Sequence, residues 1–132
     1  MHPAKRAYQS LETPVRTPRQ VEYDLLARIT QRLAAAWAQR GEDFPAFVAA
    51  LSENNRLWST FAADIADPGN QLPEKLRGQL FYLFRFTDEH SRAILDGRGS
   101  AEVLIDINKA VMRGLRGPSL NPGESPGEGA AA

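Results

Sequence analysis

Residues 43–70 read DFPAFVAALSENNRLWSTFAADIADPGN. This stretch decides the fold class, because its apolar residues recur every three or four positions, as they do on one face of an α-helix. The stripe comprises Phe44, Phe47, Val48, Leu51, Leu57, Trp58, Phe61 and Ile65. Asp43 is a suitable N-cap, and Asp67-Pro68-Gly69-Asn70 is a strong turn signal with Asn70 placed to cap the next helix. The stretch therefore predicts one long amphipathic helix.

The same periodicity occurs three more times along the chain. A first helix is predicted from the capping box Thr17-Pro18-Arg19-Gln20 to Gly41. A third runs from Leu72-Pro73 to Gly97, and a fourth from Ser100 to Gly117. No alternating strand pattern competes with these helices. We predict a small all-α, four-helix domain over residues 17–116, with an N-terminal arm (1–16) and a disordered Gly/Pro-rich C-terminal tail (117–132).

The third predicted helix carries more apolar residues than one stripe needs. Its stripe comprises Leu76, Leu80, Leu83, Phe84, Thr87, Ile94 and Leu95, and Phe81, Tyr82 and Phe86 lie off it. Such a helix is either central and packed on two sides, or it keeps one face for a partner.

Composition and charge exclude several classes of protein. The 132 residues contain no cysteine, which rules out disulfides and thiolate zinc sites. The 16 basic and 16 acidic residues balance, whereas nucleic-acid binders usually show a basic excess. The arm is weakly basic and the tail is acidic. No secretory signal and no apolar run of about 20 residues is present, so we expect a cytoplasmic protein without a membrane span.

Catalytic and metal-binding patterns are missing from the sequence. His90 is the one histidine within the predicted helices, and positions 86, 87, 93 and 94 around it are Phe, Thr, Ala and Ile, which are poor ligands. Neither a calcium loop, a phosphate-binding glycine loop nor a nucleophile elbow is found. We expect no catalytic residue, no cofactor and no metal, and hence no enzyme.

Some polar residues stand beside large apolar ones, and two interpretations stay open for them. In Asn55-Arg56-Leu57-Trp58, either Trp58 fills the core and Asn55 caps or bridges two helices, or Arg56 and Trp58 anchor a partner. Asn108 either locks the helix register or contacts a partner.

Several short motifs occur in a familiar order. They are Asn55-Arg56-Leu57-Trp58, Asp64-Ile65, Asn70-x-Leu72-Pro73-x-x-Leu76-Arg77, Leu104-Ile105-Asp106-Ile107-Asn108 and Gly114-Leu115. Together with Ala7-Tyr8 and Pro18-Arg19-x-x-Glu22, they resemble the FlaF family of flagellar biosynthesis regulators of alphaproteobacteria over about residues 4–116.

The resemblance implies a chaperone-like factor that binds flagellin before export and acts alongside FlbT, a second regulator of flagellin synthesis. Flagellin termini are amphipathic segments that assemble as helices, and a hydrophobic groove on a helical protein can cover them. We expect the surplus apolar residues of the third helix, with Trp58 nearby, to form that groove. The expected contact residues are Tyr8, Asn55, Arg56, Trp58, Arg77, Phe81, Tyr82 and Asn108. The alternatives are a regulator that binds flagellin mRNA, directly or through FlbT, and an adaptor to the export machinery.

Overall fold

The computed structural model describes residues 18–116. Four helices follow one another: α1 (Pro18–Ala38), α2 (Phe44–Ala66), α3 (Glu74–Leu95) and α4 (Glu102–Arg116). Residues 18–116 contain no strand, so the all-α, four-helix prediction is confirmed. Thr17 of the predicted capping box, the predicted arm and the predicted tail lie outside the described residues.

α2 and α3 both begin where the sequence predicts, but the predicted N-cap is correct for α2 alone. Asp43 caps α2, because its Oδ1 accepts a hydrogen bond from the amide of Ala46 at 3.1 Å. Asn70 does not cap α3, whose N-cap is Pro73 and has no side-chain hydrogen bond. Asn70 lies too far ahead of that helix, and it closes the preceding loop by accepting from the amide of Leu72 at 2.9 Å.

Of the predicted helix ends, the one at Gly97 is correct and the one at Gly41 is not. α3 stops at Gly97 as predicted: its φ of 80° is left-handed, and the amides of Gly97 and Arg98 donate to the carbonyls of Ile94 and Ala93. This pair of bonds satisfies carbonyls that the helix leaves open. Gly41 does not have this role for α1, which ends at Ala38. Among the described glycines only Gly97 has a positive φ.

The helices do not contribute equally to the interior. α1 packs against both α2 and α4, whereas α3 packs on α2 and touches α4 over a small area. α3 buries only Thr87, Ser91 and Ile94. The alternative of a central third helix packed on two sides is therefore wrong, and α3 is a peripheral helix with an uncovered face.

The core formed by residues 18–116 contains two apolar clusters. The larger contains Leu33, Phe47, Ala50, Leu51, Ile94, Ala101, Leu104 and Ile105. The smaller contains Leu26, Ile29 and Leu57, with half-buried Leu25, Phe61, Val111, Met112 and Leu115 around it. The smaller cluster lies where α1 begins and where α2 and α4 end, and it is incompletely covered.

Four residues of the predicted stripes are exposed, namely Phe44, Val48, Leu76 and Leu95, and so is Val103 of α4. On α4 the buried face is centred on Leu104 and Asn108, one position away from Val103, which explains its exposure. Phe44 is the first residue of α2, and its ring packs against Phe47 with centroids 5.9 Å apart.

Candidate functional site

Asn108 sits at the centre of a buried polar network that also contains Thr30, Asn54 and Trp58. Its Oδ1 accepts from Trp58 Nε1 at 2.9 Å, and its Nδ2 donates to Asn54 Oδ1 at 2.7 Å and Thr30 Oγ1 at 3.0 Å. All four side chains are buried. We call this set the Asn108 network. It favours the structural interpretation of Trp58 and Asn108, since neither reaches the surface.

Two more of the expected contact residues make contacts within the chain. Asn55 Oδ1 accepts from Ser91 Oγ at 2.9 Å, which bridges α2 and α3 as one of the two interpretations foresaw. Arg77 Nε donates to the carbonyl of Leu72 at 3.1 Å and so fastens the loop before α3.

Three expected contact residues are exposed, and they lie on different surfaces. Arg56 borders a shallow hollow between α1 and α2 that is lined by alanines and by polar side chains. Phe81 and Tyr82, which are 42% and 68% exposed, border another hollow on the outer side of α3. Tyr8 lies outside the described residues. The structure thus does not gather the expected contact residues into one surface.

Another surface lies at the incompletely covered end of the core, and we call it the apolar groove. It has a volume of about 640 Å³ and lies between the second half of α2, the first half of α3 and the end of α4. Its apolar lining comprises Phe61, Ile65, Leu72, Leu76, Leu80, Leu83, Val111 and Leu115. Leu72 and Leu76 are exposed, so the groove is open to solvent along α3.

The charged residues among the described lining of the apolar groove are all acidic. They include Glu22, Asp64 and Asp67, and no lysine or arginine is among the described residues that line it. An apolar groove with acidic residues at its border complements a ligand that has an apolar stripe and basic flanks.

The sequence predicted a groove at the surplus apolar residues of the third helix, with Trp58 nearby, and assigned Leu76, Leu80 and Leu83 to the main stripe. The structure instead places the groove on that stripe, and Trp58 is buried and does not line it. A signal was present in the helix lengths. α3 has 22 residues and α4 has 15, which correspond to roughly 33 and 22 Å. A helix as short as α4 cannot cover the whole length of α3.

His90 has a structural position between α3 and α4. Its Nε2 lies 3.1 Å from the carbonyl oxygen of Ser100, and its ring stacks on Phe86 with centroids 5.2 Å apart. Within residues 18–116, no three histidine or carboxylate side chains come together as a metal site would require. None of the four helices has the length and apolar character to cross a membrane.

Comparison with known protein families identifies the group to which the chain belongs. The family model for the flagellar protein FlaF matches residues 4–115. This chain belongs to the FlaF family. The FlaF match includes α1, α2, α3 and nearly all of α4, and therefore every residue that lines the apolar groove. Neither curated proteins nor solved structures gave a match to this FlaF-family chain.

Proposed function

We propose that the chain is a chaperone-like factor that binds flagellin and serves its synthesis and export. Membership of the FlaF family supports a flagellar role. Flagellin is the proposed partner because its amphipathic terminal segments need their apolar stripes covered until they assemble. The proposed role is binding without catalysis, and it would be exerted in the cytoplasm before export.

The apolar groove is the observation on which this proposal depends. Leu76, Leu80 and Leu83 face it along two turns of α3, a length of roughly 10 Å. Phe61 and Ile65 form the α2 side, and the end of α4 forms the third side. A client helix would place anchors spaced by three, four and seven residues into such a groove.

Leu76→Asp tests this proposal when the chain is co-expressed with flagellin and the complex is isolated by pull-down. We expect at least about a tenfold loss of affinity, roughly 1.4 kcal/mol, because the client would bury an unpaired carboxylate. Val103→Asp is the matched control: Val103 and Leu76 are both 39% exposed, but Val103 does not line the groove.

Circular dichroism would verify that both variants keep the helical fold of the parent. A folded parent chain that forms no complex with flagellin would refute flagellin binding. Equal losses of affinity in the two variants would refute the groove as the binding surface.

A second exposed surface supports the adaptor alternative. Phe81 and Tyr82 border the hollow on the outer side of α3 together with Gly78 and Phe86, and none of these four lines the apolar groove. An adaptor would hold flagellin in the groove and a component such as FlbT on this outer surface. Tyr82→Ala would then weaken a ternary complex and leave flagellin binding unchanged, which size-exclusion chromatography of the mixtures would show.

A further inference from the structure

We infer that residues 4–16 of this chain occupy the apolar groove when no partner is bound, so that a partner helix must displace them. These residues lie outside the described part of the chain. Reach, charge and residue spacing all favour them as the occupant, and each is independent of whether the partner is flagellin.

The segment begins close to the groove. α1 starts at Pro18, and Glu22, one turn further on, already lines the groove. Thirteen residues span roughly 40 Å when extended and roughly 20 Å when helical, so either form can follow the groove along α3. The FlaF match also starts at residue 4, ahead of α1, so the family's common unit includes this segment.

The spacing of apolar residues in the segment suits a groove. Ala4, Tyr8, Leu11 and Val15 follow one another at intervals of four, three and four, which is the pattern of one helical face. Pro14 disfavours helix at the residue before it, so Tyr8 and Leu11 are the expected anchors.

Charge distinguishes this segment from the other end of the chain. Residues 4–16 contain Lys5, Arg6 and Arg16 against a single acidic residue, Glu12. Asp64 and Asp67 at the border of the groove complement these cations. Residues 117–132 have Glu124 and Glu128 as their charged residues, and so match the groove poorly.

The absence of cysteine allows a direct test on the full-length chain, because introduced cysteines are then the only ones. Leu11→Cys is combined with Leu76→Cys and oxidised at low protein concentration. A disulfide requires Cβ atoms about 3.5–4.5 Å apart, so we expect a bond within one chain, seen as a faster band on a non-reducing gel. The control pairs Leu11→Cys with Tyr82→Cys; Tyr82 is more exposed than Leu76 but lies outside the groove.

We expect the groove pair to oxidise at least about tenfold faster than the control pair. Equal rates, or a groove pair that forms mainly bonds between two chains, would overturn the inference; the latter would indicate a second copy as the occupant. Leu76 is an exposed residue, so its replacement by cysteine preserves the fold, which circular dichroism would verify.

A second variant provides an independent readout. Leu11→Asp in the full-length chain should release the segment and increase the fluorescence of the apolar dye anilinonaphthalene sulfonate severalfold, and adding Leu76→Asp should abolish the increase. Unchanged dye fluorescence in Leu11→Asp would overturn the inference. Neither experiment contains flagellin, so a failure here is separate from a failure of the proposed function.

Discussion

Asn108 connects three helices through one side chain. Its amide contacts Thr30 of α1, Asn54 and Trp58 of α2, and it belongs to α4. Along α1, α2 and α4 the Asn108 network lies between the two apolar clusters of the core. Because the network is buried, every hydrogen bond that is broken leaves a polar atom without water.

Asn108→Ala should lower the free energy of unfolding by about 3 kcal/mol or more, because it leaves Asn54 Oδ1 and Trp58 Nε1 buried without this hydrogen bond and removes one of the two bonds of Thr30 Oγ1. Asn55→Ala, which breaks one half-buried bond to Ser91, should cost about 1 kcal/mol. Urea unfolding followed by circular dichroism measures both. If Asn108→Ala and Asn55→Ala lost equal amounts of unfolding free energy, the buried hydrogen bonds of the Asn108 network would not stabilise the core more than one half-buried bond does.

Two buried threonines should respond in opposite directions to replacement by valine. Among the described residues, Thr87 Oγ1 is buried without a hydrogen-bond partner, whereas Thr30 Oγ1 donates to the carbonyl of Leu26 and accepts from Asn108. Thr87→Val should therefore raise the free energy of unfolding by about 1 kcal/mol, and Thr30→Val should lower it by a similar amount. The melting temperatures of the two variants should accordingly shift in opposite directions. A loss of stability in Thr87→Val would indicate that its hydroxyl is bonded in solution.

At the scale of the helix, the start of α2 and the end of α3 were predictable, because both depend on neighbours in sequence. Asp43 and Gly97 act within four residues of their own position, so their residue types were sufficient. Asn70 failed as a cap because Pro73 sets the start of α3. The exposure of Leu76 was not predictable from its neighbours in sequence, because a leucine stripe has the same sequence pattern whether or not another helix covers it.

Two glycines provide a test of what stabilises α3. A Cβ added at Gly78 or at Gly97 would meet no atom within 4 Å, but Gly97 has a φ of 80° and Gly78 lies within the helix. Gly78→Ala should stabilise the chain by about 0.5–1 kcal/mol, and Gly97→Ala should destabilise it by about 1 kcal/mol. Thermal unfolding monitored at 222 nm measures the stability of both variants. If the two substitutions changed stability in the same direction, backbone conformation would not explain the roles of Gly78 and Gly97.

At the scale of the whole molecule, the contacts between helices are unevenly distributed. α1, α2 and α4 share the Asn108 network, whereas α3 joins α2 through contacts in its second half, such as Ser91 and Ile94. The apolar groove results from this arrangement. It could not be predicted from residue types, because it depends on where α4 ends and on α3 having one main neighbour.

The first half of α3 should therefore open most readily. We expect amides of residues 78–84 to exchange with deuterium faster than those of residues 51–58 in α2, because few side chains of that half are buried. A client bound in the apolar groove should slow exchange in residues 78–84 and leave residues 51–58 unchanged. Uniform exchange across both segments would mean that the helices unfold as one unit.

The bond between Asn108 and Thr30 joins residues 78 positions apart, which affects the order of events during translation. At 5–20 residues per second, the ribosome makes Asn108 roughly 4–16 s after Thr30. Leu26 and Leu33 belong to α1, whose other neighbour besides α2 is α4, so this covering helix does not yet exist during that interval. The nascent chain must therefore rely on pairing between α1 and α2, and its native core closes when synthesis has passed α4.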